Sequence, residues 1–395
     1  MSFDKEDYLT QRVKNKKLYN LNTMKILIER DRLIEELEII TSFASKTSKK
    51  DEYGIISFRL DNSQLILNAF TPDIFYSGSI KVDAKSDDKK EFFADAKTLL
   101  SLVRNLKKRD ITIVVNETLN ISDSEIEYKI PLVSSDYFIP FEEIKPEKSF
   151  QIELGKLLDA LSKVHFCAAE HDEMRLYLTG IHINSKGKDI DFVASNSHIL
   201  GLYKLELDNE LPTFKITIQE KLYDILKKIH SYRKNVIINF AFNEDYVVIE
   251  FQDTNRKIYS RLFSEAYPDY DRIIPKEFSF SFTTSIEQLK EKIKSIKVIS
   301  PFTIHFEFEK DRCRIYAKEE SEFSSYITGN AEQFVDNNTY KISFSFEQFS
   351  NLIKGIDDAY LIDIKIKDKN SPVMLSVNEN KNFYLIMPIA SAQDD

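Results

Sequence analysis

The chain carries only two cysteines, Cys167 and Cys313, among 395 residues. That is too few for a disulfide framework or a four-thiolate zinc site, and it points to a reducing, cytoplasmic setting. Tryptophan is absent, glycine numbers 8 and proline 10, so few positions remain from which a glycine-built phosphate cradle could be made. No GxGxxG, GxxxxGK[ST] or HExxH pattern occurs. No stretch reaches the ~18 uninterrupted apolar residues of a membrane span, and the polar opening MSFDKEDYLTQRVKNKK lacks the apolar core of a signal peptide. Excess positive charge is missing too: 55 basic residues face 64 acidic ones, a net charge of −9. Taken alone, this argues against a protein that grips nucleic acid by bulk attraction.

What is present is ample core material, with 42% hydrophobic residues, 29 Phe and 19 Tyr, and a length that implies two or three domains. A strand followed by an amphipathic helix recurs at a long interval. In EFFADAKTLLSLVRNLKKRDITIVV, FKITIQEKLYDILKKIHSYRKNVIINF and YKISFSFEQFSNLIKGIDDAYLIDIKI the apolar positions superpose as Leu99, Leu102, Val103, Leu106; Leu222, Ile225, Leu226, Ile229; and Phe349, Leu352, Ile353, Ile356. Each set has the spacing i, i+3, i+4, i+7 of one helix stripe. A second set, Leu33, Leu37, Ile40; Leu157, Leu161, Val164; and Leu289, Ile293, Ile296, repeats the device earlier in each unit. Matching positions recur at roughly 125 residues, so the chain reads as three units of two halves each. The intervening segments, such as IISFRLDNSQLILNAF and VIINFAFNEDYVVIEF, alternate like antiparallel strands joined by short polar turns. The fold class is α+β. Divisions fall at the polar, proline-containing PFEEIKPEKS and IIPKEFS, giving an N-terminal extension 1–23, units 24–147, 148–277 and 278–390, and a tail 391–395.

Charge is partitioned between these parts. Six helix windows (29–40, 97–110, 154–165, 219–234, 286–298 and 347–356) carry a net +7 and the remainder −16. The first helix, with Glu35, Glu36 and Glu38, leans the other way. Two explanations stand for the lysines: ordinary solvated helix faces, or a shared surface turned to a polyanion while the acidic remainder repels it. The second suits a protein that encloses a duplex loosely, because phosphate contacts position without reading sequence. The candidate lining residues are Lys97, Arg104, Lys107, Lys108, Lys221, Lys227, Lys228, Lys290 and Lys294.

The residues yield no catalytic constellation, no metal site and no cofactor. His165, Cys167 and His171 stand near each other without a second cluster to complete a zinc site. His198 lies beside Ser195 and Ser197 at a strand end, and Asp269 with Asp271 belongs to what reads as a polar turn, YPDYDR.

Four segments then carry a resemblance: MRLYLTGIHI (174–183), VASNSHILGL (193–202), SRLFSEAYPDYDRIIPK (260–276) and FYLIMPIA (383–390). Their order and spacing on a threefold repeat resemble the bacterial sliding clamps, the β subunits of DNA polymerase III, over residues 24–390. The resemblance implies three pseudo-repeated domains of two β-α-β-β-β halves each, and two subunits closing head to tail into a ring with a helical inner wall. It implies a non-catalytic processivity factor for DNA replication, cytoplasmic and nucleoid-associated, that encircles double-stranded DNA without sequence preference. The polymerase, the clamp loader and other proteins bearing a clamp-binding motif would be its partners, with no membrane involved.

The same resemblance places the dimer interface at Tyr128 and Ile130 of one subunit against Val298 and Ile299 of the other. A pocket for partner peptides would be lined by Leu178, by Ser195, Ser197, His198 and Leu200, and by Pro268, Arg272 and Ile273. Asn370 and Pro372 would join it, with Leu385, Met387, Pro388 and Ile389, the last three odd-numbered residues sharing one face by alternation. The chain departs from the family where NSHIL replaces the usual Asp-Gly-His-Arg-Leu, so that Ile199 stands in place of an arginine, and where SAQDD extends the terminus. Apolar anchors of a partner peptide should therefore contribute more here and acidic elements less. Two further interpretations stay open on the residues alone: a clamp-like paralogue serving as a scaffold without encircling DNA, and a nucleic-acid-processing enzyme with an unrecognised site.

Overall fold

The structure, a computed structural model, describes residues 23–44, 54–85, 91–134, 144–318, 321–332, 340–356, 361–377 and 381–389. The N-terminal extension up to residue 22 and the tail 391–395 lie outside these. Among the described residues there are six α-helices: α1 Arg30–Ala44, α2 Ala96–Asn105, α3 Leu154–Ser162, α4 Leu222–Tyr232, α5 Ile286–Ile296 and α6 Phe346–Gly355. Each follows a strand directly or within a turn: Met24–Glu29, Glu91–Asp95, Lys148–Glu153, Phe214–Gln219, Phe280–Ser285 and Tyr340–Ser345. At these junctions the apolar period switches from two to 3.6, which is what changes the backbone. MKILIE buries alternate residues, and the helix after it buries Leu33, Leu37 and Ile40 on one stripe. Two junctions are capped by side chains. Asp95 accepts the Thr98 amide at 2.7 Å, and Ser345 accepts that of Gln348 at 3.5 Å.

All six predicted stripes are buried except at Leu102, which is half-buried. They are buried in pairs, since α1 packs on α2, α3 on α4, and α5 on α6. The acidic lean of α1 is largely internal. Glu35 and Glu36 are buried, Glu36 accepts the Tyr76 hydroxyl, and Glu38 takes the Arg104 guanidinium at 2.7 Å.

The chain forms two compact units. The first comprises residues 1–71 and 76–141, the second 72–75 and 142–395. In the first, one five-stranded antiparallel sheet ends at Glu127–Pro131, which pairs on one side with Thr118–Ser122. Strands Gln64–Phe70, Ile55–Asp61 and Glu91–Asp95 pair in that order beside it in sequence. In the second unit, Lys148–Glu153, Ile237–Phe242, Tyr246–Phe251 and Lys257–Arg261 form an antiparallel run. A twelve-stranded sheet passes through the expected division near residue 277, because Ile199–Tyr203 pairs with Asn382–Ile386.

Part of the phenylalanine excess is spent on the core of the last third. Phe306 is 1% exposed, with its ring 4.9 Å from Phe349, 5.7 Å from Phe344 and 6.0 Å from Phe308. Phe306→Ala is expected to destabilise this unit by about 3–5 kcal/mol, read as a lowered urea midpoint. A loss below about 1 kcal/mol would mean that the site collapses around the cavity.

Candidate functional site

The register Leu200↔Leu385 sets two apolar side chains opposite each other on one sheet face. Around them a buried cluster gathers Val193, Leu202, Tyr270, Met374 and Phe383, with Tyr267, Ile274 and Phe278 packed against it. Tyr270 is fixed by polar bonds reaching far along the chain. Its hydroxyl donates to Asp191 Oδ2 at 2.8 Å and accepts from Asn184 Nδ2 at 2.8 Å, while Lys186 holds Asp191 at 2.6 Å. Burial keeps that phenol protonated well above the ordinary range.

Over this floor stand exposed groups carried on turns. Asn196 builds the first: its Oδ1 accepts the amides of His198 at 3.0 Å and Ile199 at 2.9 Å, and its Nδ2 donates to Gln348 Oε1 of α6 at 3.0 Å. Ser197 adopts φ +76° there, and the Ser195 hydroxyl donates to the Ile199 carbonyl at 2.7 Å. His198 and Ser197 are exposed as a result. The chain after Asn382–Ile386 is held on both sides, since the Met387 amide donates to the His198 carbonyl at 3.0 Å and the Ile389 amide to that of Ser343 at 2.9 Å. Met387 is 42% exposed and Ile389 38%. Pro268, Arg272 and Ile273 are exposed around a 3-10 turn, Tyr270–Ile273. Asn370 and Pro372 belong to a turn whose amides bond Asp368, leading into the strand that carries Met374. Leu178 is buried, next to Tyr177, whose ring meets Tyr267 edge-on at 5.7 Å.

The expected pocket residues thus divide between a buried floor and an exposed rim, and one expectation needs correction. Leu385, Met387 and Ile389 do not share one strand face, because the strand ends at Ile386 and only Leu385 is in the core. Ile199 is 2% exposed, turned away from solvent. His165, Cys167 and His171 do not converge: His165 stacks on Tyr223 and meets Glu220 at 3.0 Å, Cys167 is buried, and His171 is exposed. The sequence reading missed Tyr270, Met374, Phe383 and the Asn196–Gln348 bond. Alternation in VASNSHILGL had carried the signal for Val193 and Leu202.

The candidate helix cations are diverse. Lys97, Lys107, Lys221, Lys227 and Lys294 are exposed, and Lys228 and Lys290 are half-buried. Arg104 is tied to Glu38, and Lys108 to Glu125 at 2.7 Å, a pairing that raises the Lys108 pKa. Lys227 lies over the Tyr223 ring and Lys228 over Tyr232. The Asp123 carboxylate accepts the amides of Lys107 and Lys108, so it positions both. Tyr128 and Ile130 are half-buried on the edge strand, and after α5 a 3-10 turn, Lys297–Ile299, leaves Val298 86% exposed with Ile299 half-buried. Phe302, 83% exposed beside it, was not anticipated. Among the described residues no group of three or more His, Cys, Asp or Glu could hold a metal, and no helix is long and apolar enough to cross a membrane.

His182 packs flat on Tyr267 at 4.6 Å, behind the pocket floor, and meets Thr217 Oγ1 at 3.1 Å. Burial first, then Lys215, lower its pKa to about 4, against the pull of Asp191. The unfolded chain therefore binds the extra proton first. Stability from neutral His182 is complete above about pH 6.5 and is lost as pH falls toward 4. His182→Gln is expected to flatten that part of the stability–pH curve in urea melts; an unchanged slope would sink the assignment.

Residues 24–138 match the family model of the DNA polymerase III beta subunit, N-terminal domain, and residues 151–269 that of its central domain. The chain is 22% identical over 391 residues to the beta sliding clamp of Rickettsia felis, covering 93% of this chain and 99% of that one. It is 26% identical over 316 residues to that of Helicobacter pylori, covering 78% and 82%. Its fold superposes on the crystal structure of the DNA polymerase III beta subunit from Thermotoga maritima with a TM-score of 0.83 at 19% identity, covering 93% of this chain and all of that one. A sliding clamp from Pseudomonas aeruginosa, solved with griselimycin bound, gives 0.82 at 17% identity, with coverages of 94% and 100%.

Proposed function

The chain belongs to the DNA polymerase III beta subunit family, and from that premise we propose that it is a DNA sliding clamp, a non-catalytic processivity factor working in the cytoplasm on nucleoid DNA. Three domains, 24–147, 148–277 and 278–390, would each present one helix pair to a duplex, and two subunits would close head to tail. The observation that carries this is the strand-to-helix junction occurring six times, with apolar stripes buried in pairs and lysines left on the outer faces. A net charge of −9 fits such a protein, because a closed ring stays on DNA by topology and needs only weak phosphate contacts. For the closing interface, the strand with Tyr128 and Ile130 is the edge of its sheet among the described residues and offers backbone groups there, and Val298, Ile299 and the added Phe302 offer an apolar surface.

Once placed by a clamp loader, the protein is expected to persist on nicked circular DNA and to leave when the circle is cut. A double variant, Ile130→Asp with Ile299→Asp, should sediment as a monomer and fail to persist on either substrate. Equal retention of the unaltered protein on circular and linear DNA would remove the topological reading.

The floor of Leu200 and Leu385 under a rim of Met387, Ile389 and Ile273 suits short peptides with apolar anchors from the polymerase, the clamp loader and other motif-bearing partners. Met387→Ala is expected to weaken a fluorescent motif peptide by about 1–2 kcal/mol while the dimer and its melting temperature stay unchanged. Unaltered affinity in a dimeric Met387→Ala protein would place docking elsewhere.

A further inference from the structure

The two arginines beside the pocket are already neutralised from within their own turns. Arg175 gives its Nε and Nη2 to Asp172 Oδ2 at 3.1 and 2.8 Å, and Asp172 Oδ1 also accepts the Arg175 amide at 2.8 Å. Arg272 gives its Nε to Asp269 Oδ2 at 2.8 Å. With those pairs closed, each segment keeps an exposed carboxylate, Glu173 on the first and Asp271 on the second, and neither is in an ion pair among the described residues. Both segments abut the pocket floor: Tyr270 belongs to it, and Tyr177 packs on Tyr267, which packs against it. The turn at 195–200 and the run 385–389 carry no carboxylate or lysine that would cancel this surplus. Lys186 feels Asp271 but is itself closed on Asp191 at 2.6 Å, and the 367–370 turn carries Lys367 and Lys369 around Asp368, so the acidic field lies on the Leu178 and Ile273 side.

We infer that this pocket selects peptides in which a basic flank accompanies the apolar anchors, the lysines or arginines lying over Glu173 and Asp271. The inference rests on the pocket proposed above and adds the charge of its occupant. An acidic flank finds no open arginine there and meets like charge, whereas a basic flank forms exposed pairs that discriminate modestly and are screened by salt.

The test uses the full-length dimer and five fluorescent peptides sharing one set of apolar anchors: unflanked, with two lysines before the anchors, with two lysines after them, and with two glutamates at each of the same places. One lysine peptide is expected to bind about three- to tenfold tighter than its glutamate counterpart at low salt. That ratio should shrink toward one at about 0.5 M salt and in a Glu173→Gln, Asp271→Asn double variant that still binds the unflanked peptide. Equal affinity of lysine and glutamate peptides, with the unflanked peptide bound, would overturn the inference and leave the pocket standing. Failure of every peptide to bind would remove the pocket itself, and the inference with it.

Discussion

The five-residue antiparallel register between Ile199–Tyr203 and Asn382–Ile386 is the constraint on which the second unit depends. It joins strands nearly two hundred residues apart into one twelve-stranded sheet. It sets Leu200 against Leu385, and it brings the turn of Asn196 to the same end of the sheet as the departing C-terminal run. A slip of one residue in either strand would turn its leucine to the opposite face. It would also move the His198 carbonyl away from the Met387 amide that it now accepts at 3.0 Å. The proposed docking surface is therefore a product of strand pairing, and its floor exists only where both halves of the sheet have formed.

The helices obey a different logic. Their apolar stripes are consumed in pairwise packing, which leaves their polar faces to solvent and to whatever passes there. Some of the charge on those faces is already used internally, as in Arg104 with Glu38 and Lys108 with Glu125. Exposed pairs of this kind add little stability, but they lower the field available to phosphate. A clamp held by topology tolerates this, because mobility along the duplex benefits from contacts that are few and screened.

Legibility in the sequence followed distance along the chain. The six stripes and the strand-to-helix switches were readable because their signals are local, at spacings of two to four residues, and Leu102 is the lone stripe residue that falls short of burial. The buried Glu36 was not readable, since its partner Tyr76 lies 40 residues away. Nor was the anchoring of Tyr270 by Asp191, 79 residues distant. Ile199 could be aligned with a family position, but which way its side chain faces is decided by the register with Ile386. The division of the expected pocket residues into floor and rim thus required knowing which side chains the sheet had already consumed.

That division bears on how such a surface can diverge. Leu200 and Leu385 serve the core as well as the proposed pocket, so truncating either would open a cavity in addition to any contact it removes. Met387, Ile389, Ile273 and the charged residues on the two neighbouring turns are exposed, and changing them costs the fold little. Identity of 22% to a relative aligned over nearly its whole length is compatible with a shared floor and a different rim. Selection for a partner can act on the rim's charge without moving the backbone, because Asp172 and Asp269 hold their own turns and neutralise their own arginines. On the proposed reading, rim charge in this chain is therefore free to set partner preference while the strand register goes on setting the pocket's shape.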